Sequence, residues 1–226
     1  MNIKTFSYRF ADELLSAPGY CDVRDEILNI CYGCPIPVYP GKSARQPQKD
    51  VVQQIMNTYF RLQFETYGWD VEPLATPDDY EDALRADFRK TFYFDDREPI
   101  TAQIEVEFGN VASSYRNYFK FQLSFSYGLT DICILIVPSY DLANRIDSGV
   151  SNFEKANREI PQAKLSVTVP IYVIGLFDVD DYNNELDVWN VRDLGVSLDV
   201  AQNKNRAVRA QHEDLVRSYI DWINRQ

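Results

Sequence analysis

One histidine, His212, serves a chain of 226 residues. That scarcity argues against a Ser-His-Asp or Cys-His hydrolase, since His212 falls in the stretch Arg206 to Ile223, which reads as a surface helix. Cysteine is scarce too. Cys31 and Cys34 form a CxxC, but no second pair follows, so a zinc site lacks ligands. Cys21 and Cys133 complete a set of four, too few for a disulfide framework in a chain this long. No apolar run approaches a membrane span and no charged-then-apolar signal opens the chain; the expectation is a cytoplasmic protein without a membrane partner. Repeats, low-complexity tracts and linkers are absent, and the length suits one domain over residues 1–226. Basic residues are the minority, 23 against 34 acidic ones, for a net charge of −11.

That acidity argues at first sight against a nucleic-acid partner, but its distribution softens the objection. Acid is concentrated in Asp78–Glu98 and Asp178–Asp187, whereas no acidic residue lies between Phe108 and Thr130, where the charges are Arg116 and Lys120. Lys42–Lys49 and Lys204–Arg209 also lean basic. Such local surfaces can bind DNA, less tightly as salt rises.

The most telling run is Ile104-Glu105-Val106-Glu107-Phe108-Gly109-Asn110. Apolar and acidic residues alternate with the period of a strand, so Glu105 and Glu107 project together from the face opposite Ile104, Val106 and Phe108. Two residues apart on a strand, their carbons lie roughly 6.5–7 Å from each other. Carboxylates so close repel unless a cation or a proton lies between them. Asp95 and Asp96 precede them across a turn containing Pro99, and three converging oxygen ligands suit Mg²⁺.

Around this strand the chain reads as α/β. Helical stripes run over Phe10–Leu15, Val23–Ile30 and Val52–Phe64, and Pro77-Asp78-Asp79-Tyr80 opens a helix reaching Lys90. Strands follow at Thr91–Phe94 and Thr101–Phe108, then an amphipathic helix over Ser114–Tyr127. Ile132–Val137 and Val169–Phe177 are apolar enough for strands buried on both faces, separated by helices at Asp141–Ile146 and Asn152–Ile160. This order predicts a central mixed β-sheet flanked by helices. It divides into a mainly helical N-terminal part (1–90), a catalytic core (91–177) and a C-terminal loop and helix (178–226).

The run at 104–110 resembles the catalytic strand of BglII/BstYI-type, BamHI-like Type II restriction endonucleases of the PD-(D/E)xK superfamily. Gly68-Trp69, Tyr115–Lys120, Ile136-Val137-Pro138, Asp147–Glu154 and Val169–Gly175 resemble that family in the same order. The resemblance spans about Asp22 to Phe177. It implies a PD-(D/E)xK core and Mg²⁺-dependent hydrolysis of double-stranded DNA at a short palindrome, of the GATC-centred kind that relatives often read, with 5′-phosphate and 3′-hydroxyl products. It implies Asp96 (Asp95 if the turn shifts by one) and Glu105 as metal ligands. Glu107 stands where many nucleases carry Lys, as a third catalytic residue that is base, second-metal ligand or water-orienting group. Asn110 and Ser148 would read bases and Arg116 and Lys120 contact phosphates. A two-fold homodimer would match the palindrome, with a cognate DNA methyltransferase acting independently on the same site.

Blander readings stand beside these. Asp95-Asp96 is a common turn, Gly109-Asn110 a turn dipeptide, Ser148-Gly149 a loop or helix cap, and Arg116 with Lys120 a solvated helix face. A non-catalytic DNA-binding or assembly protein of the same fold is the alternative from another class, and a repair nuclease without a fixed site is a third.

Overall fold

The structure, a computed structural model, describes residues 1–79, 82–164 and 166–225. The N-terminal part contains β1 (Asn2–Tyr8), α1 (Ala11–Ser16), α2 (Cys21–Tyr32), β2 (Pro37–Val38), α3 (Gln53–Thr66) and β3 (Asp70–Val71). The middle runs through β4 (Phe88–Phe92), β5 (Ile100–Val106), α4 (Val111–Ser126), β6 (Ile132–Pro138), α5 (Tyr140–Ile146), α6 (Phe153–Glu159) and β7 (Ile171–Phe177). β8 (Trp189–Asn190), α7 (Leu198–Ala201) and α8 (Arg209–Ile223) follow.

Six strands form one mixed sheet in the order β1-β7-β6-β5-β4-β3, while β2 and β8 pair separately. β5, β6 and β7 are parallel neighbours; β4 and β3 extend the sheet antiparallel on one side and β1 on the other. Every residue of β6 and of β7 is buried, because helices cover both faces and leave no polar side to the strand. On one face Ile104, Ile132, Ile134, Ile136 and Ile174 pack with Ile55, Tyr59, Phe60 and Phe64 of α3. On the other, Cys133, Leu135, Ile171 and Val173 meet Tyr118 and Phe121 of α4 and Phe153 of α6. The stripe read from Val52 to Phe64 is thus core packing.

Among the described residues no helix forms between Pro77 and Lys90, where one was expected. Tyr80 and Glu81 lie outside the described residues; beyond them the chain makes an isolated bridge, Leu74 with Arg85, and enters β4. Acid-first residues open turns as readily as helices. Phe88 packs with its ring 4.8 Å from that of Phe64, tilted by 39°, and pairs with Ile104, contacts that only an extended chain makes. β1 was also absent from the sequence reading, so the N-terminal part is helical with an added edge strand.

Candidate active site

Strand β5 and helix α4 build the site between them. Asn110 caps α4, its side-chain oxygen accepting the backbone N–H groups of Ala112 and Ser113. From that cap the helix runs back over β5, bringing Asn117, Lys120 and Ser124 (spaced i, i+3, i+7) onto the strand's polar face. Each meets one row of that face. Asn117 Nδ2 donates to Glu107 Oε2 at 2.9 Å, and the Lys120 ammonium contacts Glu105 Oε2. Ser124 and Gln103 both accept from Arg89 of β4, at 3.2 and 2.8 Å.

Asp87 joins this layer through strand register. Phe88 pairs with Ile104, so one step further Asp87 stands opposite Glu105, and directly opposed side chains lie about 4.5–5.5 Å apart at Cβ on the same face. Its Oδ2 accepts the N–H of Val106 at 2.7 Å. The same arithmetic on the β3–β4 pair sets Glu72 opposite Asp87, and Glu72 N donates to Asp87 O at 3.0 Å. Glu107 folds back on its own backbone, accepting the Gly109 N–H at 2.6 Å. A methyl group at Gly109 would fall 2.6 Å from that carboxylate oxygen.

Burial makes these carboxylates unusual. Glu105 is 0 % exposed, Glu107 6 % and Lys120 5 %. Burial first, then the neighbouring Asp87, lifts the Glu105 carboxyl to about 8 despite Lys120. Burial also raises Glu107 and Asp87, in each case against the pull of Lys120 and a backbone N–H. Three carboxylates face one buried ammonium, a formal imbalance of −2, and Glu105 Oε1 is buried without any partner. That charge and that orphaned oxygen fit a divalent cation, and the all-oxygen donor set suits a hard one. Among the described residues no three acidic, histidine or cysteine side chains already converge as a metal cage; Lys120 contacts Glu105 Oε2 and leaves Oε1 without a partner.

A consequence for stability follows with a definite sign. A carboxyl raised from its ordinary 4.5 to about 8 binds its proton more tightly when folded, so the metal-free protein loses stability as pH rises from about 4.5 to about 8. A cation bound by the ionised form offsets that loss. Melting curves should show a rise in Tm on adding Mg²⁺ or Ca²⁺ that is larger at pH 8.5 than at pH 6. An equal rise at both values would mean the buried carboxylates are not where the ion binds.

The sequence-predicted site residues divide. Glu105 and Glu107 meet at the site, though buried beneath α4 rather than on a solvated face. Asp96 does not join them. It is exposed in the β4–β5 turn and its two oxygens grip Arg97, which holds its carboxyl below the usual range. Five residues of extended strand, about 17 Å, separate the start of β5 from Glu105. Asp95 is exposed in the same turn. The carboxylate that stands opposite Glu105 is that of Asp87. Lys120, expected on a solvated phosphate-binding face, is instead the buried partner of Glu105. Arg116 remains exposed, and its charge acts on Asp87. Asn110 is exposed with its oxygen committed to the cap. Ser148 is exposed and accepts from Lys49, which also pairs with Asp147 at 2.9 Å. Antiparallel contacts of 109–111 with 149–151 bring Asn110 and Ser148 to the same end of the sheet. Asp87 and Asn117 were missed. The inverted pattern of α4, with Tyr115 and Phe119 exposed and Asn117 and Lys120 buried, was the available signal for Asn117.

A mixed sheet that carries buried carboxylates at the C-terminal end of β5, where the parallel strands meet the antiparallel ones, is in keeping with the restriction-endonuclease class of fold. The model of the restriction endonuclease BglII/BglIII family matches residues 3–176, and the chain belongs to that family. Over 83 residues it is 31% identical to the Type II restriction enzyme BamHI of Bacillus amyloliquefaciens, a match covering 37% of each chain. Its fold is similar to that of restriction endonuclease BglII in a crystal structure with a DNA 16-mer. The TM-score is 0.62, at 17% identity, over 80% of this chain and 78% of that one.

Proposed function

We infer that this chain is a Type II restriction endonuclease, a homodimer that hydrolyses double-stranded DNA at a short palindrome with Mg²⁺. The observation that carries this reading is the buried pair Glu105 and Glu107 with the half-buried Asp87, gathered against the single Lys120 within a restriction-endonuclease fold. Asp87 and Glu105 would hold the metal ion, in place of the Asp96–Glu105 pair. When bound, the ion supplies charge neutralisation at phosphorus and a more acidic water.

The chain's own groups do the rest. Lys120 fixes the Glu105 carboxylate, and Gly109 and Asn117 fix that of Glu107. With its proton affinity raised by burial, Glu107 is suited to take a proton from the attacking water. The water oxygen forms the new bond to phosphorus and the bond from phosphorus to O3′ breaks. O3′ takes a proton from solvent, leaving a 5′-phosphate and a 3′-hydroxyl. Arg116, exposed beside Asp87, is placed to meet a phosphate. Asn110 keeps its amide N–H groups for a base edge, and Ser148 lies at the same end.

Tyr115 and Phe119, 52% and 59% exposed on α4, support a homodimer, since large exposed aromatics are characteristic of interfaces. A GATC-centred target, a cytoplasmic setting and an independent cognate methyltransferase complete the reading. Digestion of unmethylated plasmid with Mg²⁺ or with EDTA tests it. Discrete bands that require Mg²⁺ are expected; intact DNA under every divalent ion would favour a binding-only protein of this fold, and a smear a nonspecific nuclease.

A further inference from the structure

A polar cleft of about 380 Å³ opens between α3 and the start of α8, away from the buried carboxylates. Three guanidinium groups line it, Arg61, Arg206 and Arg209, together with Asn203 and Asn205. Two acids oppose them. Glu213 accepts from Arg61 at 2.8 Å and from Arg209 at 3.5 Å, and Glu65 accepts from Arg61 at 3.4 Å. Arg206 makes no side-chain hydrogen bond or ion pair among the described residues. Three positive charges against two leave +1, in a protein whose net charge is −11. Cations gathered against the overall sign, with one unpartnered, mark an anion site.

The neighbouring cleft identifies the anion. Arg61 also lines a second cleft of about 250 Å³ whose walls include Asp87, Val106 and Glu72. One side chain therefore borders both the candidate active site and the arginine cleft. A strand whose phosphodiester lies at Asp87 would carry its neighbouring phosphates past Arg61.

We propose that Arg61, Arg206 and Arg209 form a sequence-independent clamp on the DNA backbone beside the scissile phosphate. The proposal rests on the nuclease reading and adds where the strand runs. Of the two basic stretches, it assigns this role to 204–209 rather than to 42–49. In the latter, Lys42 is committed to the carbonyls of Val51 and Ile146 and Lys49 to Asp147 and Ser148, which leaves Arg45 as a single exposed cation. Lys204 likewise is spent on Asp199. Arginine suits the task because its planar fork matches two phosphate oxygens.

The test is equilibrium binding of a random-sequence duplex in EDTA, where no cleavage occurs, across salt from about 50 to about 200 mM. Arg206→Gln alone and Arg206→Gln with Arg209→Gln are compared with wild type. Arg217→Gln, exposed further along α8, controls for net charge. Each cleft arginine lost should flatten the log K against log salt slope by about 0.9, and the double variant should bind at least about tenfold more weakly. Arg217→Gln should leave the slope at its wild-type value. Slopes unchanged in the cleft variants, or lowered equally by Arg217→Gln, would overturn the clamp while leaving the nuclease reading intact. A wild type that binds no duplex would overturn both. Arg206 has no partner to lose, so the single variant keeps the test valid should the double variant melt early.

Discussion

Glu105→Gln should abolish cleavage and leave DNA binding within about threefold of wild type, because the carboxylate serves the cation rather than the duplex. The amide has nearly the same volume and can still accept from Lys120, but it carries no charge. The buried imbalance falls from −2 to −1, and the oxygen that is orphaned in the native site no longer attracts a divalent ion. A loss of at least about 1,000-fold in rate is expected, equivalent to about 4 kcal/mol of barrier. Glutamine is a better probe than alanine. Removing the whole side chain would strand the Lys120 ammonium in the interior, and breaking a buried pair costs about 3–5 kcal/mol of stability. Lost activity in the alanine variant would then be confounded with unfolding. Cleavage is followed on plasmid with Mg²⁺, and binding with Ca²⁺ in its place. A glutamine variant retaining more than a tenth of the rate would show that Glu105 holds no essential ion.

The parts of this site that were legible in the sequence are those written in short-range periodicity. The alternation of 104–108 names β5 and pairs Glu105 with Glu107. The apolar runs of β6 and β7 name the buried strands beside it, and the amphipathic stretch from Ser114 names α4, though its Asn110 cap was read as a turn or a base contact. Asp87 was illegible for a different reason. Its place opposite Glu105 depends on the register of β4 with β5, which a seven-residue turn between them leaves open. Eighteen positions separate Asp87 from Glu105 along the chain, whereas the family resemblance favoured the turn aspartate nine away, Asp96, with Asp95 as the fallback. Lys120 was misread because a lysine on a polar helix is solvated by default. Its burial follows from three acids that sequence spacing did not bring together. The apolar groups of α4 carry the complementary lesson. Phe119 is exposed and Phe121 buried, a choice set by which face of the helix covers the sheet rather than by residue type. The absent helix at 77–90 shows the limit of local signals, since Phe88 and Phe92 gain more from the sheet and from α3 than an acid-first turn supplies.

Asp87→Asn and Asp96→Asn together decide which strand position holds the first metal ligand. Asparagine at 87 keeps an oxygen to accept the Val106 N–H and keeps the side chain opposite Glu105, so the fold is spared while the charge is removed. Cleavage by that variant should drop by at least about 1,000-fold, as for Glu105, since each carboxylate is half of one binding pair. Asparagine at 96 loosens only an exposed contact with Arg97 at the far end of β5. Exposed substitutions of that kind change stability by no more than about 0.5 kcal/mol, and cleavage should stay within about twofold of wild type. The two variants are compared in one plasmid digest, with thermal melts to confirm that each is folded. The reverse pattern, an inactive Asp96→Asn beside an active Asp87→Asn, would require the β4–β5 hairpin to fold its tip back over the sheet. That would cost the β4–β5 pairing from Phe88–Ile104 to Phe92–Ile100 and the Phe88 contact with Phe64. Register, not distance along the chain, is what sets Asp87 opposite Glu105.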